Sequence, residues 1–197
     1  GDGSRVITAS ILLNGPSLIS TDGYTLYEYW HGIDMPTIAI PKAFIKPLIS
    51  TNKKLAKFGM SQNSVTFWFE DESWLRSQLM AEPWPIDNAL PLLNKPCQLA
   101  PIPAGFFDAL AAVHPFCEGD AVYFNKGCLS STPDGNDKAA TYDIEGIPEN
   151  VAFSAKYLLA LKDVAEQIDF LAQMDYNRPT LMFVGKNIRG CVMGRRR

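Results

Sequence analysis

Apolar and polar residues alternate along most of this chain, and three times that alternation gives way to a stripe of helical spacing. In TIAIPKAFIKPLIS (37–50), Phe44, Ile45, Leu48 and Ile49 form the stripe, with Lys42 and Lys46 on the opposite face. Pro47 falls within it and is expected to kink or shorten the helix. In QLAPIPAGFFDALAAV (98–113) the stripe is Phe106, Phe107, Leu110 and Val113. In NVAFSAKYLLALKDVAEQI (150–168) it is Tyr157, Leu158, Leu161, Val164, Ala165 and Ile168. Each of these segments begins with a short extended run and turns at a proline or small residue into its helix.

Strand-like runs fill the intervals: VITASILLNG, KLAKFGM, SVTFWFEDES, WLRSQLM, DAVYFNKGCLSS, AATYDIEG, QIDFLAQM, TLMFVG and IRGCVMG. Turn signals separate them at Asn14-Gly15, Asp22-Gly23, Pro133-Asp134-Gly135 and Gly185-Lys186-Asn187. The stretch LISTDGYTLYEYW (18–30) reads as a hairpin about Asp22-Gly23, because Asp-Gly tolerates the positive φ that favoured hairpin turns demand. Beyond the turn, Tyr24, Leu26 and Trp30 share one face and Thr25, Tyr27 and Tyr29 the other, so packing is expected on both sides. The order strand–helix–several strands, repeated, predicts an α+β fold with antiparallel sheet and helices on one face. The proline-rich EPWPIDNALPLLNKP (82–96) reads as an extended linker, which divides the chain into units 1–93 and 94–197.

Composition narrows the class. With 197 residues, 47% of them hydrophobic, the chain can build a substantial core. A net charge of −3 argues against nucleic-acid binding through overall charge, while leaving room for a local basic patch. Cys97, Cys117, Cys128 and Cys191 include no C-x-x-C pair and no histidine at metal-ligand spacing, so reduced thiols in a cytoplasmic protein are expected rather than a disulfide framework or a metal site. No apolar run reaches the length of a membrane span. The opening GDGSRV has neither Met nor a signal-peptide pattern and reads as an added leader, so the natural chain is expected to extend further. Glu70, Asp71 and Glu72 fit a hairpin tip better than a calcium loop. His31 and His114 stand apart from any nucleophile motif, and no glycine-rich phosphate loop occurs, so no catalytic activity and no cofactor are expected.

Five pieces then fall in a telling order: LISTDGYTL, IAIPKAFI, RSQLMAEPWPIDNALP, VAFSAKYLLALK and GCVMGRRR. Together they resemble the bacterial DNA polymerase sliding clamp, the ring-forming beta subunit of the replicative polymerase. The resemblance implies a DNA-clamp fold. Residues 1–93 correspond to the middle domain without its first helix, 94–197 to a compact last domain, and the family's first domain is absent. It further implies a processivity factor that encircles duplex DNA through weak, sequence-independent phosphate contacts and docks the polymerase and other clamp-binding peptides. Self-association into a ring follows, with three subunits if the chain has two domains.

By the same resemblance, a peptide cleft between the two domains is walled by Thr21, Gly23, Tyr24, Thr25 and Leu26, by Pro85 and Ala89, and by Val192, Met193, Gly194 and Arg195. The competing reading is ordinary packing at a domain interface. Two departures stand out: Thr25 replaces a basic residue, and Met193-Gly194-Arg195 replaces Met-Pro-Met, which predicts a flexible, charged lip. Lys42, Lys46, Lys53, Lys54 and Lys57 about the first helix, Lys156 and Lys162 on the third, and Arg196 and Arg197 at the end are the expected DNA-facing cations; solubilising surface charge is their alternative. The second helix offers none. A rival function follows from these gaps: a clamp-like interaction or decoy protein that binds replication partners without encircling DNA.

Overall fold

The computed structural model describes residues 4–136, 138–175 and 178–196. The chain divides into two compact units, Gly1–Ala89 and Leu90–Arg197.

The first unit opens with helix α1 (Ser4–Ala9), where the pattern predicts a strand from Val6. Strand β1 (Ser10–Thr21) follows and pairs antiparallel with β2 (Thr25–Pro41). Asn14-Gly15 does not turn the chain. The register slips on either side of Gly15, whose φ of +54° makes a bulge inside one long strand. With β2 running opposite through this stretch, the ladder resumes at Ser17↔Trp30, so an unusual backbone conformation is accommodated without reversing direction.

Pro41 ends β2 and stands at the N-cap of α2 (Lys42–Ser50). Three residues of the predicted stripe are used: Phe44, Ile45 and Leu48 pack on Leu13, Ile38, Ile40, Val65, Phe67 and Phe69, with the Phe44 and Phe67 rings stacked 5.8 Å apart, while Ile49 is exposed. Pro47 is held inside the helix. Its missing N–H would have reached the carbonyl of Ala43, an exposed residue whose carbonyl water can serve. Then β3 (Leu55–Ser61), β4 (Ser64–Phe69) and β5 (Trp74–Gln78) form an antiparallel meander. Glu70, Asp71 and Glu72 occupy the β4–β5 turn, as expected.

The segment read as an extended linker contains helix α3 (Ile86–Leu93), and the division between the units falls inside it. Ile86, Ala89, Leu90 and Leu93 recur at helical spacing, and Ala89 and Leu93 are buried. Four prolines obscure this signal, yet Pro83 and Pro85 precede the helix and Pro96 follows it, leaving only Pro91 within.

The second unit contains two interlocked modules. In chain order these are β6 (Ala100–Pro101), α4 (Phe106–Val113), 3₁₀ turns at His114–Phe116 and Glu118–Asp120, β7 (Ala121–Asn125), β8 (Cys128–Ser130) and β9 (Thr141–Asp143). They are followed by β10 (Val151–Ser154), α5 (Ala155–Leu159), β11 (Gln167–Asp175), β12 (Arg178–Val184) and β13 (Ile188–Met193). The strand before each helix joins the other module's sheet: β10 pairs with β7, and β6 with β11. This exchange ties the modules together. Phe106 of α4 touches both sheets, its ring lying 6.1 Å from Phe124 and 5.2 Å from Phe170.

α5 is shorter than its stripe predicts. From Ala160 to Val164 the chain coils in turns, with Leu161 N bonded to Leu158 O and Val164 N to Leu161 O. Glu166 N then reaches Val184 O, committing the chain to β11, and Ile168 becomes a strand residue. Across both units, strand–helix–three strands recurs three times, through α2, α4 and α5, giving the α+β, antiparallel architecture anticipated. Among the described residues no helix is long and apolar enough to cross a membrane.

Candidate partner and nucleic-acid sites

The β1–β2 hairpin is locked by its own side chains. Asp22 accepts hydrogen bonds from Tyr24 N at 2.9 Å, Thr25 N at 2.8 Å and Thr25 Oγ1 at 3.0 Å. Thr21 Oγ1 accepts from Gly23 N at 3.0 Å and donates to the Thr25 carbonyl. Gly23 alone in this turn takes a positive φ, +92°, as an Asx-braced three-residue loop requires. Thr25 thus has a structural duty, which accounts for a small hydroxyl where the resemblance calls for a basic side chain. Thr21, Thr25 and Leu26 are buried, whereas Tyr24 is 54% exposed. The expected packing on both faces of β2 is not seen in full, since Tyr29 and Trp30 are exposed too.

Of the other residues expected to wall the peptide cleft, Pro85 is half-buried and Ala89 buried. Beside them Trp84 is buried and lines a groove of about 540 Å³ with Ile38, Met60, Leu79, Met80 and Pro83. Sequence reasoning missed this groove, because its walls come from four separated stretches.

Gly194 and Arg195 are held by neighbouring backbone, where a flexible lip was expected. A Cβ added at Gly194 would run into the Pro179 ring and lie 2.7 Å from the Pro179 carbonyl oxygen. Gly194 N donates to that same carbonyl at 2.6 Å, and Arg195 N to Ala152 O at 2.7 Å. The Arg195 guanidinium donates to the Gly119 carbonyl. Val192 is wholly buried in the sheet. Met193 lines a cavity of about 220 Å³ in the second unit, and Arg196 lines it as well. Arg197 lies outside the described residues.

The expected DNA-facing cations are largely engaged with neighbours. Lys42 donates to Thr21 O at 2.6 Å, and burial pulls its pKa down, against the opposing pull of Asp22. Lys53 pairs with Asp71 at 2.6 Å and bonds Ser73 at 2.8 Å; Lys54 pairs with Glu70 at 2.7 Å. Hydrogen bonds from Lys53 and Ser73 lower the Asp71 pKa to about 2. The Lys57 ammonium lies 5.5 Å from the Trp68 ring centre and that of Lys156 5.4 Å from the ring of Tyr157. Lys46 and Lys162 are exposed.

Folding also assembles His114, Asp120 and Ser154, which sequence inspection had not connected. Asp120 accepts from Ser154 Oγ and from Lys156 N at 3.0 Å, and lies 3.1 Å from His114 Nε2. The carboxylate sits between serine and imidazole, so the imidazole cannot take the serine proton, and the arrangement braces the start of α5 instead of forming a nucleophile. Burial, then the nearby Asp120 charge, raises the Cys117 pKa, so that thiol is held protonated; burial and Asp143 do the same to Cys128. None of the four cysteines is in a disulfide. Among the described residues no cluster of three His, Cys, Asp or Glu could hold a metal ion.

No protein-family profile matches the chain, and no curated protein sequence matches it. Solved structures do. The pol III beta of Caulobacter crescentus aligns with a TM-score of 0.75 at 14% identity, over 100% of this chain and 60% of that one. The DNA polymerase III subunit beta of Pseudomonas aeruginosa aligns at 0.73 and 17%, over 100% and 60%. That of Borrelia burgdorferi, in complex with a natural product, aligns at 0.73 and 13%, over 98% and 58%. The chain spans about 60% of the length of these proteins.

Proposed function

With the fold of the bacterial DNA polymerase sliding clamp as premise, we propose that this chain is a clamp-like replication processivity factor without catalytic activity, acting in the cytoplasm. It closes into a ring with other copies of itself, encircles duplex DNA loosely, and docks short peptides of the polymerase and other partners. The observation carrying this reading is the threefold strand–helix–three-strand module, which aligns along its whole length with clamp structures. A ring holds DNA by topology, so it needs few phosphate contacts, and exposed Lys46 and Lys162 with a modest net charge are compatible with sliding. Peptide docking is supported by Met193, an adaptable side chain on a cavity wall beside a pinned chain end.

The test is retention. The protein is loaded on nicked circular DNA and the complex passed over a sizing column before and after linearisation. Retention on the circle with release from the line supports encirclement, and light scattering must show a closed oligomer. Equal behaviour on both forms overturns it. Titration with a clamp-binding peptide from a polymerase tail tests docking separately, with Met193→Asp as the blocked control.

The second reading, a non-encircling partner-binding protein, is favoured by the ion pairs that occupy Lys53 and Lys54 and by the bond that holds Lys42. A monomer that binds the polymerase-tail peptide and is not retained on circles would establish it.

A further inference from the structure

We infer that the cavity beside β13 takes the C-terminal residue of a partner peptide, its aliphatic side chain on the apolar part of the lining and its free carboxylate among the surrounding cations. This rests on the peptide-docking reading and specifies the chemistry of the occupant. At about 220 Å³ the cavity has room for one residue, which suits a chain end better than a continuing segment. Part of its lining is apolar: Leu92, Cys191 and Met193. Lys95, Arg178 and Arg196 line it too, against the single acid Asp175, a positive excess that recruits an anion.

Two of the cavity's lining residues carry donor atoms with no hydrogen-bond partner. Lys95 Nζ donates to Gln173 Oε1 at 2.6 Å, which orients that amide with its NH₂ away from the lysine. The Gln173 Nε2 so oriented is buried without a hydrogen-bond partner, and so is Arg178 Nε. Buried donors left unpaired are destabilising, and a carboxylate, with two oxygens and four lone-pair sites, is an acceptor suited to such donors. A phosphodiester would match the cations but leave Leu92, Cys191 and Met193 uncovered, so a peptide end is the better match.

The probe is the acetylated hexapeptide SGSGLL as free acid, titrated calorimetrically against the same peptide as C-terminal amide. The acid should bind about tenfold more tightly than the amide, the loss expected when a charge-assisted pair is removed. Arg178→Gln should bring the acid down to the amide's affinity while leaving the amide unchanged. An unaltered circular dichroism melt shows that this variant folds. Met193→Asp should abolish binding of both. Equal binding of acid and amide, with loss in Met193→Asp, overturns the carboxylate assignment and leaves the docking reading intact. Tight binding by an amidated peptide with a penultimate Glu assigns the cations to an internal side chain and overturns the chain-end assignment. Displacement of the acid by short duplex DNA assigns the cavity to phosphate, and absence of binding by any peptide also overturns the inference. Titration with the polymerase-tail peptide and retention on circles judge the underlying reading independently.

Discussion

Gly194→Ala offers a sharp test of how the end of the chain is held. The new Cβ would lie 2.6 Å from Pro179 Cδ and 2.7 Å from the Pro179 carbonyl oxygen, well inside van der Waals contact, while meeting the ring's Cγ head-on. Two of these obstacles belong to a ring and one to backbone, so none can swing aside as a flexible side chain would. Overpacking of this kind is destabilising by about 1–3 kcal/mol. Relief requires β13 to part from Pro179, which sacrifices the bond from Gly194 N and adds about 1 kcal/mol. The sum is about 2–4 kcal/mol. With a urea slope of about 2 kcal/mol per molar, the midpoint of the affected transition falls by about 1–2 M. Urea unfolding followed by far-ultraviolet circular dichroism measures this, and amide exchange along β12 and β13 localises it. Lys186→Ala, at an exposed turn, is the control and should stay within about 0.5 kcal/mol of the parent. A Gly194→Ala variant that matches this control would refute the pinned-end account, and the expectation of a flexible lip would return.

Further predictions rest on separate observations. Phe106→Ala should lower stability by about 3–5 kcal/mol in thermal or urea unfolding, because a wholly buried ring touching both sheets of the second unit is lost. Carbon-detected titration should place the Asp71 midpoint at about 2, and Lys53→Ala should move it up toward 3.8. Because the folded pKa is depressed, any stability from this pair is present above the unfolded pKa and disappears as pH falls toward 2; a midpoint unchanged by Lys53→Ala would contradict the pairing. Asp22→Ala removes the acceptor of three hydrogen bonds in the β1–β2 turn and should destabilise the first unit by about 1–2 kcal/mol, read by the tryptophans, all of which lie in that unit. If Lys46 touches DNA, Lys46→Glu should weaken retention on circles and flatten its logarithmic salt dependence by about one unit; an unchanged slope would make it surface charge.

Much of the architecture was legible in the chain because its determinants are local. Period-two runs bounded by Gly, Asn and Asp located β3 through β5, β7 through β9 and the three final strands, and Asp22-Gly23 marked a true hairpin. The stripes about Phe44 and Phe106 placed α2 and α4, since each helix turns toward the core the face that its spacing makes apolar. Other features were decided only when distant segments met. Asn14-Gly15 became a bulge because β2 lay opposite to carry the ladder onward. The stripe begun at Tyr157 stopped at Leu159 because the Val184 carbonyl captured Glu166 for a sheet, and a backbone bond between remote residues leaves no periodic trace. Gly194 lost its freedom to Pro179, and one cavity came to be lined by Lys95, Gln173, Arg178 and Met193 together. Spacing along a chain records which face of an element is apolar. Which groups occupy a shared volume depends on closure of contacts between segments tens of residues apart, and that exists only in the folded state.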